Sequence, residues 1–200
     1  MSGLPADALR VLRDWPAPDP AQEQLRRAYV AHLELHPDGV WRHCLPAHLT
    51  ASTLVVDPAG ERVLLNHHAK GGFWGQFGGH CEPGDETLAA AALREAVEES
   101  GVADLRLLSE QPVDLDRHLL SAAFGGCGEH LDVRYAAVAT ADAAFGASGE
   151  SHDVRWFDLS DLPGEAVRDL PRLIAAARRL AHGSASGGRS SPAAAETPSR

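Results

Sequence analysis

Apolar residues recur at helical spacing near the start of the chain, where Leu25, Tyr29, Val30 and Leu33 fall on one stripe of residues 20–35. Pro20 suits the start of that helix, and Pro37, Asp38 and Gly39 suit its end. Residues 7–13 predict a shorter helix stopped by Pro16, and both helices read as peripheral. Near His48 the period changes. Residues 50–57 are β-branched and apolar, Pro58, Ala59 and Gly60 make a turn, and residues 62–66 are apolar again, so a β-hairpin is predicted. Residues 69–84 are too rich in glycine for a helix and predict loops around a short strand at 74–77. Residues 87–100 carry the strongest helix pattern, with good helix formers, an N-cap at Asp85 or Thr87, and Gly101 to end it. Strands are predicted at 105–108, 113–120 and 154–159, and 119–124 with 131–139 predicts a hairpin about a glycine-rich turn. Residues 165–181 predict a closing helix, and from Gly183 the small polar composition predicts a disordered tail.

This order of elements divides the chain into a helical extension (1–44), an α/β domain (45–182) and a tail (183–200). The formal net charge of −10 changes what such a domain can bind. A nucleic-acid polymer or an anionic membrane surface would be repelled, and phosphates would need metal ions or local cations to reverse the field. Cys44, Cys81 and Cys127 form no CxxC pair, so neither a disulfide framework nor a zinc ribbon is expected, and a reducing cytoplasm is the expected compartment. The N-terminus lacks the pattern of a secretory signal, and no apolar run approaches a membrane span. His32 and His36 stand i,i+4, and His43–Cys44 and His80–Cys81 are adjacent pairs, but no third ligand follows at a familiar spacing. No dedicated zinc site is expected.

The candidate chemistry sits on the helix at 87–100. Glu95, Glu98 and Glu99 stand at i, i+3 and i+4 and project onto one face, with Ala89, Leu93, Ala96 and Val97 roughly opposite. Like charges at this spacing cost roughly 0.2–0.5 kcal/mol per pair, which a divalent cation would reverse. Oxygen-only ligands on a rigid element suit Mg²⁺ or Mn²⁺. The bland alternative is a solvated acidic helix face.

The surrounding residues decide between them. Gly79 is followed by HCEPGDE, TLAAAAL, and then Arg94, Glu95, Ala96, Val97, Glu98, Glu99, Ser100, Gly101 and Val102. This stretch resembles the box of the Nudix hydrolase family: Gly, five residues, Glu, seven residues, Arg-Glu, an aliphatic residue, any residue, Glu-Glu, any residue, Gly, an aliphatic residue. The first half departs by one residue. Six residues separate Glu86 from Gly79, whereas eight separate Asp85 from Arg94, so either acid can be the box acid. The family's order of elements extends over residues 48–163, closing at Trp156, Phe157 and Asp161, Leu162, Pro163.

The resemblance implies an α/β fold, a Nudix-type α/β/α sandwich with a mixed sheet, here with the N-terminal helical extension added. It implies Glu95, Glu98 and Glu99 as metal ligands and catalytic residues, the Gly79 carbonyl as a further ligand, and Mg²⁺ (or Mn²⁺) as cofactor. Water would attack a pyrophosphate bond of a nucleoside-diphosphate-linked small molecule, with a box glutamate or a later acid activating it. Glu150 is the later acid proposed. Arg94 would tie the helix to the box acid. Lys70 and Arg134 are candidate phosphate contacts, although surface cations are more common. Phe73, Trp74 and Tyr135 are candidate base-stacking residues, although core packing is the more common fate of such side chains. His130 and Asp132 open a strand beside the expected cleft. The alternatives are a nucleotide-binding regulatory module without turnover and a prenyl diphosphate isomerase, which shares the fold but needs a reactive cysteine. Two roles are open to the N-terminal helices, covering the site or forming a homodimer interface.

Overall fold

The hairpin predicted for residues 50–66 lies at the centre of the computed structural model, which describes residues 3–45, 47–69, 71–119, 127–140, 142–146 and 151–186. Its arms are β1 (Ala47–Val56) and β2 (Arg62–His68), antiparallel with Val55 opposite Leu64. The other edge of β1 pairs in parallel with β7 (Glu129–Val138) along its whole length, from Ala47 opposite Glu129 to Val56 opposite Val138. The N-terminal half of β1 also carries β4 (Phe77–His80), antiparallel, with Thr50 opposite His80. β3 (Trp74–Gly75) and β8 (Ser151–Asp158) extend the sheet from β2, and β5 (Arg106–Leu107) and β6 (Asp114–Leu119) extend it from β7. The parallel β1–β7 pair beside antiparallel ones makes the sheet mixed, as the Nudix resemblance implies.

Side-chain alternation along the strands divides the core into two faces. Leu49 and Ala51 of β1 and Leu131, Val133 and Tyr135 of β7 point to the side covered by α1 (Leu4–Asp14), α2 (Pro20–Leu35) and α3 (Leu88–Ser100). Leu54, Val56 and Ala136 point to the other side, where Leu170, Leu173, Ile174 and Ala177 of α4 (Leu170–Ser186) cover them. Helices on both faces complete the α/β/α sandwich.

Several boundaries differ from the sequence expectation. The strand expected at 74–77 is two short strands separated at Gln76. α4 begins at Leu170, with Pro171 in its first turn where no backbone N–H is needed, and it runs to Ser186, so 183–186 belong to the helix and not to a tail. Most of the 119–124 arm, and the tail from 187 onward, lie outside the described residues.

The N-terminal helices are not peripheral. Leu4, Ala8, Leu12 and Trp15 of the first helical segment and Tyr29 and Leu33 of α2 are buried in one cluster with Leu88, Ala91 and Ala92 of α3. Their polar groups also bind the sheet and the helix. The Gln22 amide accepts from the Leu115 N–H (2.7 Å) and donates to the Leu115 carbonyl (3.0 Å), filling the backbone positions that a further strand would occupy beside β6. Asp7 accepts from the N–H of Leu88 (2.9 Å), placing a carboxylate at the positive end of α3.

Candidate active site

α3 forms because its alanines and leucines are strong helix formers and its ends are closed. The Thr87 hydroxyl accepts from the Ala90 N–H (3.0 Å), and Gly101 takes the left-handed conformation (φ 70°) that ends the helix. Small buried side chains at Ala91, Ala92 and Ala96 let α3 lie close on the sheet. The Thr53 hydroxyl of β1 donates to the Ala92 carbonyl (2.9 Å) and fixes that seat. β4 approaches β1 equally closely at Gly78, where an added Cβ would stand 2.3 Å from Ser52 Cβ.

This seat brings Glu95, Glu98, Glu99 and Gly79 together. The Gly78 N–H donates to Glu99 Oε2 (2.8 Å), and an added Cβ at Gly79 would lie 2.8 Å from the Glu95 carboxylate. The three carboxylates differ in exposure. Glu98 presents 59% of its side chain to solvent, Glu95 is half-buried, and Glu99 retains only 6% exposure. The expectation that all three point away from the core therefore holds for Glu98 but not for Glu99. At one turn beyond Glu95, Glu99 lies over the closely packed β4 strand. Glu150 lies outside the described residues, as does Lys70.

Arg94 supplies positive charge to the cluster. Its Nε–H and Nη2–H donate to the two oxygens of Asp85 (3.0 Å each), Nη2 also donates to the His80 carbonyl (3.0 Å), and Nη1 donates to Glu95 and Glu98 (3.1 Å each). Asp85, and not Glu86, is thus the acid that ties the loop to the helix. Asp85 also accepts from the Glu82 N–H (2.7 Å), which closes the extra-residue loop around it. Burial works to raise the Asp85 carboxyl, but the hydrogen bonds from Arg94 and the Glu82 N–H overcome it and hold the group below its ordinary value. The same hydrogen bond to Asp85, joined by the charges of Glu95 and Asp85, raises the guanidinium further despite its burial.

The face of the sheet away from α3 is also polar. Asp132 of β7 accepts from Thr50 (3.1 Å), Ser52 (2.8 Å) and Arg134 Nε (2.9 Å). Arg134 is only 3% exposed and pairs with Asp114, Asp116, Asp132 and Asp169, so its charge is already matched and it is not a phosphate contact. Tyr135 is fully buried on the α3 face and takes the core role. Trp74 packs edge-on against Phe157 (4.8 Å), while Phe73 stays 38% exposed. Beyond Asp132 on this face, His48, His80 and His130 gather from three strands. Burial, then the neighbouring imidazoles, push His80 down to about 4 and His130 to about 3. The sequence does not disclose this group, because its members are separated by 32 and 50 residues and meet only through strand register.

A NUDIX domain family model matches residues 46–177. No curated protein matches the chain. Among solved structures, a NUDIX-family hydrolase from Clostridium perfringens is 25% identical with a TM-score of 0.53, over 66% of this chain and 97% of that one. A C. elegans Ap4A hydrolase (22% identity, TM-score 0.53, 68% and 98% of the two chains) has the same fold. So does an E. coli dihydroneopterin triphosphate pyrophosphohydrolase (17% identity, TM-score 0.53, 67% and 95%). The family match covers the box, the sheet that seats it and the start of α4, and on that ground the chain belongs to the Nudix hydrolase family.

Proposed function

We propose that this protein hydrolyses a pyrophosphate bond in a nucleoside-diphosphate-linked small molecule, with Mg²⁺ or Mn²⁺ held by Glu95, Glu98, Glu99 and the Gly79 carbonyl. The observation that carries the reading is that Glu95 and Glu99 meet the glycine strand β4 at Gly79 and Gly78, while Glu98 shares the Arg94 Nη1 with Glu95. Hard oxygen donors suit these ions. When bound, the ion supplies charge neutralisation on the phosphates and a more acidic water.

The chain's own residues do the positioning. The Gly78 N–H orients Glu99, and Arg94 orients Glu95 and Glu98 from one side while Asp85 anchors Arg94 from the other. Water attacks one phosphorus, its new P–O bond forms as the bridging P–O bond breaks, and its proton passes to a carboxylate. A box glutamate or Glu150 takes that proton. The isomerase alternative is disfavoured at Cys81, where burial, reinforced by the nearby Asp85 charge, pushes the thiol up to about 12 and leaves it a poor nucleophile.

The test is a substrate panel in Mg²⁺ buffer covering nucleotide sugars of the ADP-ribose type, dinucleoside polyphosphates and damaged nucleoside triphosphates. Nucleotide or phosphate release from one class, abolished by EDTA and restored by Mg²⁺ or Mn²⁺, is the expected result. Tight binding without turnover would identify the regulatory module, and turnover indifferent to chelation would sink the metal assignment. Gly79→Ala adds a finer check. Its methyl group would crowd the end of the flexible Glu95 side chain, so the fold should lose no more than about 1 kcal/mol. Mn²⁺ affinity, measured by titration calorimetry, should fall about tenfold, equivalent to roughly 1.4 kcal/mol; unchanged affinity would separate Gly79 from the metal.

A further inference from the structure

We propose a second metal site, specific for zinc or a similar transition ion, formed by the imidazoles of His48, His80 and His130. Their mutual ring-centroid distances are 5.1, 4.9 and 5.1 Å, with interplanar angles of 44°, 51° and 88°. Three imidazoles bound tetrahedrally at Zn–N of about 2.05 Å would have their centroids roughly 5.2 Å apart. The rings are mutually tilted rather than stacked, and each offers a ring nitrogen within 4.8 Å of a nitrogen from the others.

Strand pairing builds the site. His48 of β1 and His130 of β7 are register partners, and His80 ends β4 opposite Thr50, on the far edge of β1. All three side chains lie on the sheet face away from α3, because Gly79, one residue before His80, faces Glu95. The fold therefore places an imidazole site and the carboxylate site on opposite sides of the same short strand. Nitrogen donors favour Zn²⁺ and its transition-metal neighbours, whereas the carboxylates suit Mg²⁺, so excess Mg²⁺ can hold the carboxylate site but not the imidazole site.

The surroundings fit. His48 Nδ1 lies 3.2 Å from the Cys44 carbonyl, the arrangement that fixes a ligating histidine with its proton on Nδ1 and leaves Nε2 for the metal. Cys127 Sγ lies against the same nitrogen (3.4 Å). His118 is next in the row, 5.4 Å from His130, but the Asp116 carboxylate engages it at 3.3 Å and it stands outside the triad. A bound ion would fasten β4, β1 and β7 together beside the box.

The full-length protein, cleared of metal by a chelator and then held in excess Mg²⁺, is titrated with Zn²⁺ and separately with Co²⁺. One equivalent of Zn²⁺ should bind and remain through desalting, and the Co²⁺ form should show the intense visible absorption of four-coordination. Outer-shell partners alone contribute about 10–100-fold to metal affinity, so His48→Asn, His80→Asn and His130→Asn should each lower it about 100-fold or more. Glu98→Gln should leave the Zn²⁺ titration unchanged. Circular dichroism of the metal-free variants shows which are folded, and the wild-type measurement stands whatever they do. Failure of the wild-type protein to retain Zn²⁺, a weak six-coordinate Co²⁺ spectrum, or full affinity in the folded histidine variants would each overturn the site.

Discussion

Glutamine in place of Glu98 is expected to lower kcat roughly 10³-fold, the loss of about 4 kcal/mol of transition-state stabilisation that a metal-held phosphate provides. The substitution keeps the shape of the side chain and removes its charge. Its effect on stability should be small, because Glu98 is exposed and its pairing with Arg94 at i,i+4 is worth only about 0.3–0.5 kcal/mol. Relief of repulsion from Glu95, one turn away, offsets even that. Activity and unfolding midpoint therefore separate. A large fall in kcat at an unchanged midpoint is the outcome that the proposed metal site requires. Turnover within a factor of two of the parent would remove Glu98 from it, and the solvated acidic face would then be the better account of this helix.

Arg134→Leu is expected to cost about 3–5 kcal/mol of stability, because it leaves buried carboxylates without their cation. Asp132 and Asp114 are each nearly inaccessible, and Arg134 holds them at 2.9 and 3.4 Å. Arg172 also engages Asp114, Asp116 and Asp169, but among the described residues Asp132 has its ion pair with Arg134 and none with Arg172. The variant should also acquire a characteristic pH dependence. Burial, opposed by Arg172 and Arg134, already pushes the Asp114 carboxyl up to about 6. A carboxyl raised above its unfolded value contributes stability that is present below that value and lost as pH rises through the folded one. Removing Arg134 raises it further, so the penalty should be larger at pH 8 than at pH 5. Urea unfolding at the two pH values measures both quantities. A loss below about 1 kcal/mol at pH 8 would show that the remaining groups rearrange to solvate the carboxylates.

The Arg134 network explains one limit of reading this chain as a sequence. A lone arginine on a predicted strand is open to a phosphate-binding role, and only the position of Asp114, Asp116 and Asp169 on neighbouring elements closes that option. The box acid had a similar ambiguity. Asp85 and Glu86 each satisfy half of the expected spacing, and the turn at Glu82–Asp85 settles it by aiming Asp85 at Arg94. The N-terminal helices were legible as helices, with α2 at its predicted bounds, but their burial against α3 and β6 was not.

What the sequence by itself determined is the local geometry. The helical period placed Glu95, Glu98 and Glu99 together, Thr87 and Gly101 set the ends of their helix, and alternation with a turn built the β1–β2 hairpin. These follow from bond geometry and from hydrogen bonds spanning a few residues. Tertiary structure alone decided that Glu99 would be buried while Glu98 stayed exposed, and that Arg134 would be enclosed by carboxylates. It also decided that three distant histidines would share one face. Those outcomes depend on which strands pair and in what register, and a shift of one residue would turn His48 or His130 to the opposite face of the sheet.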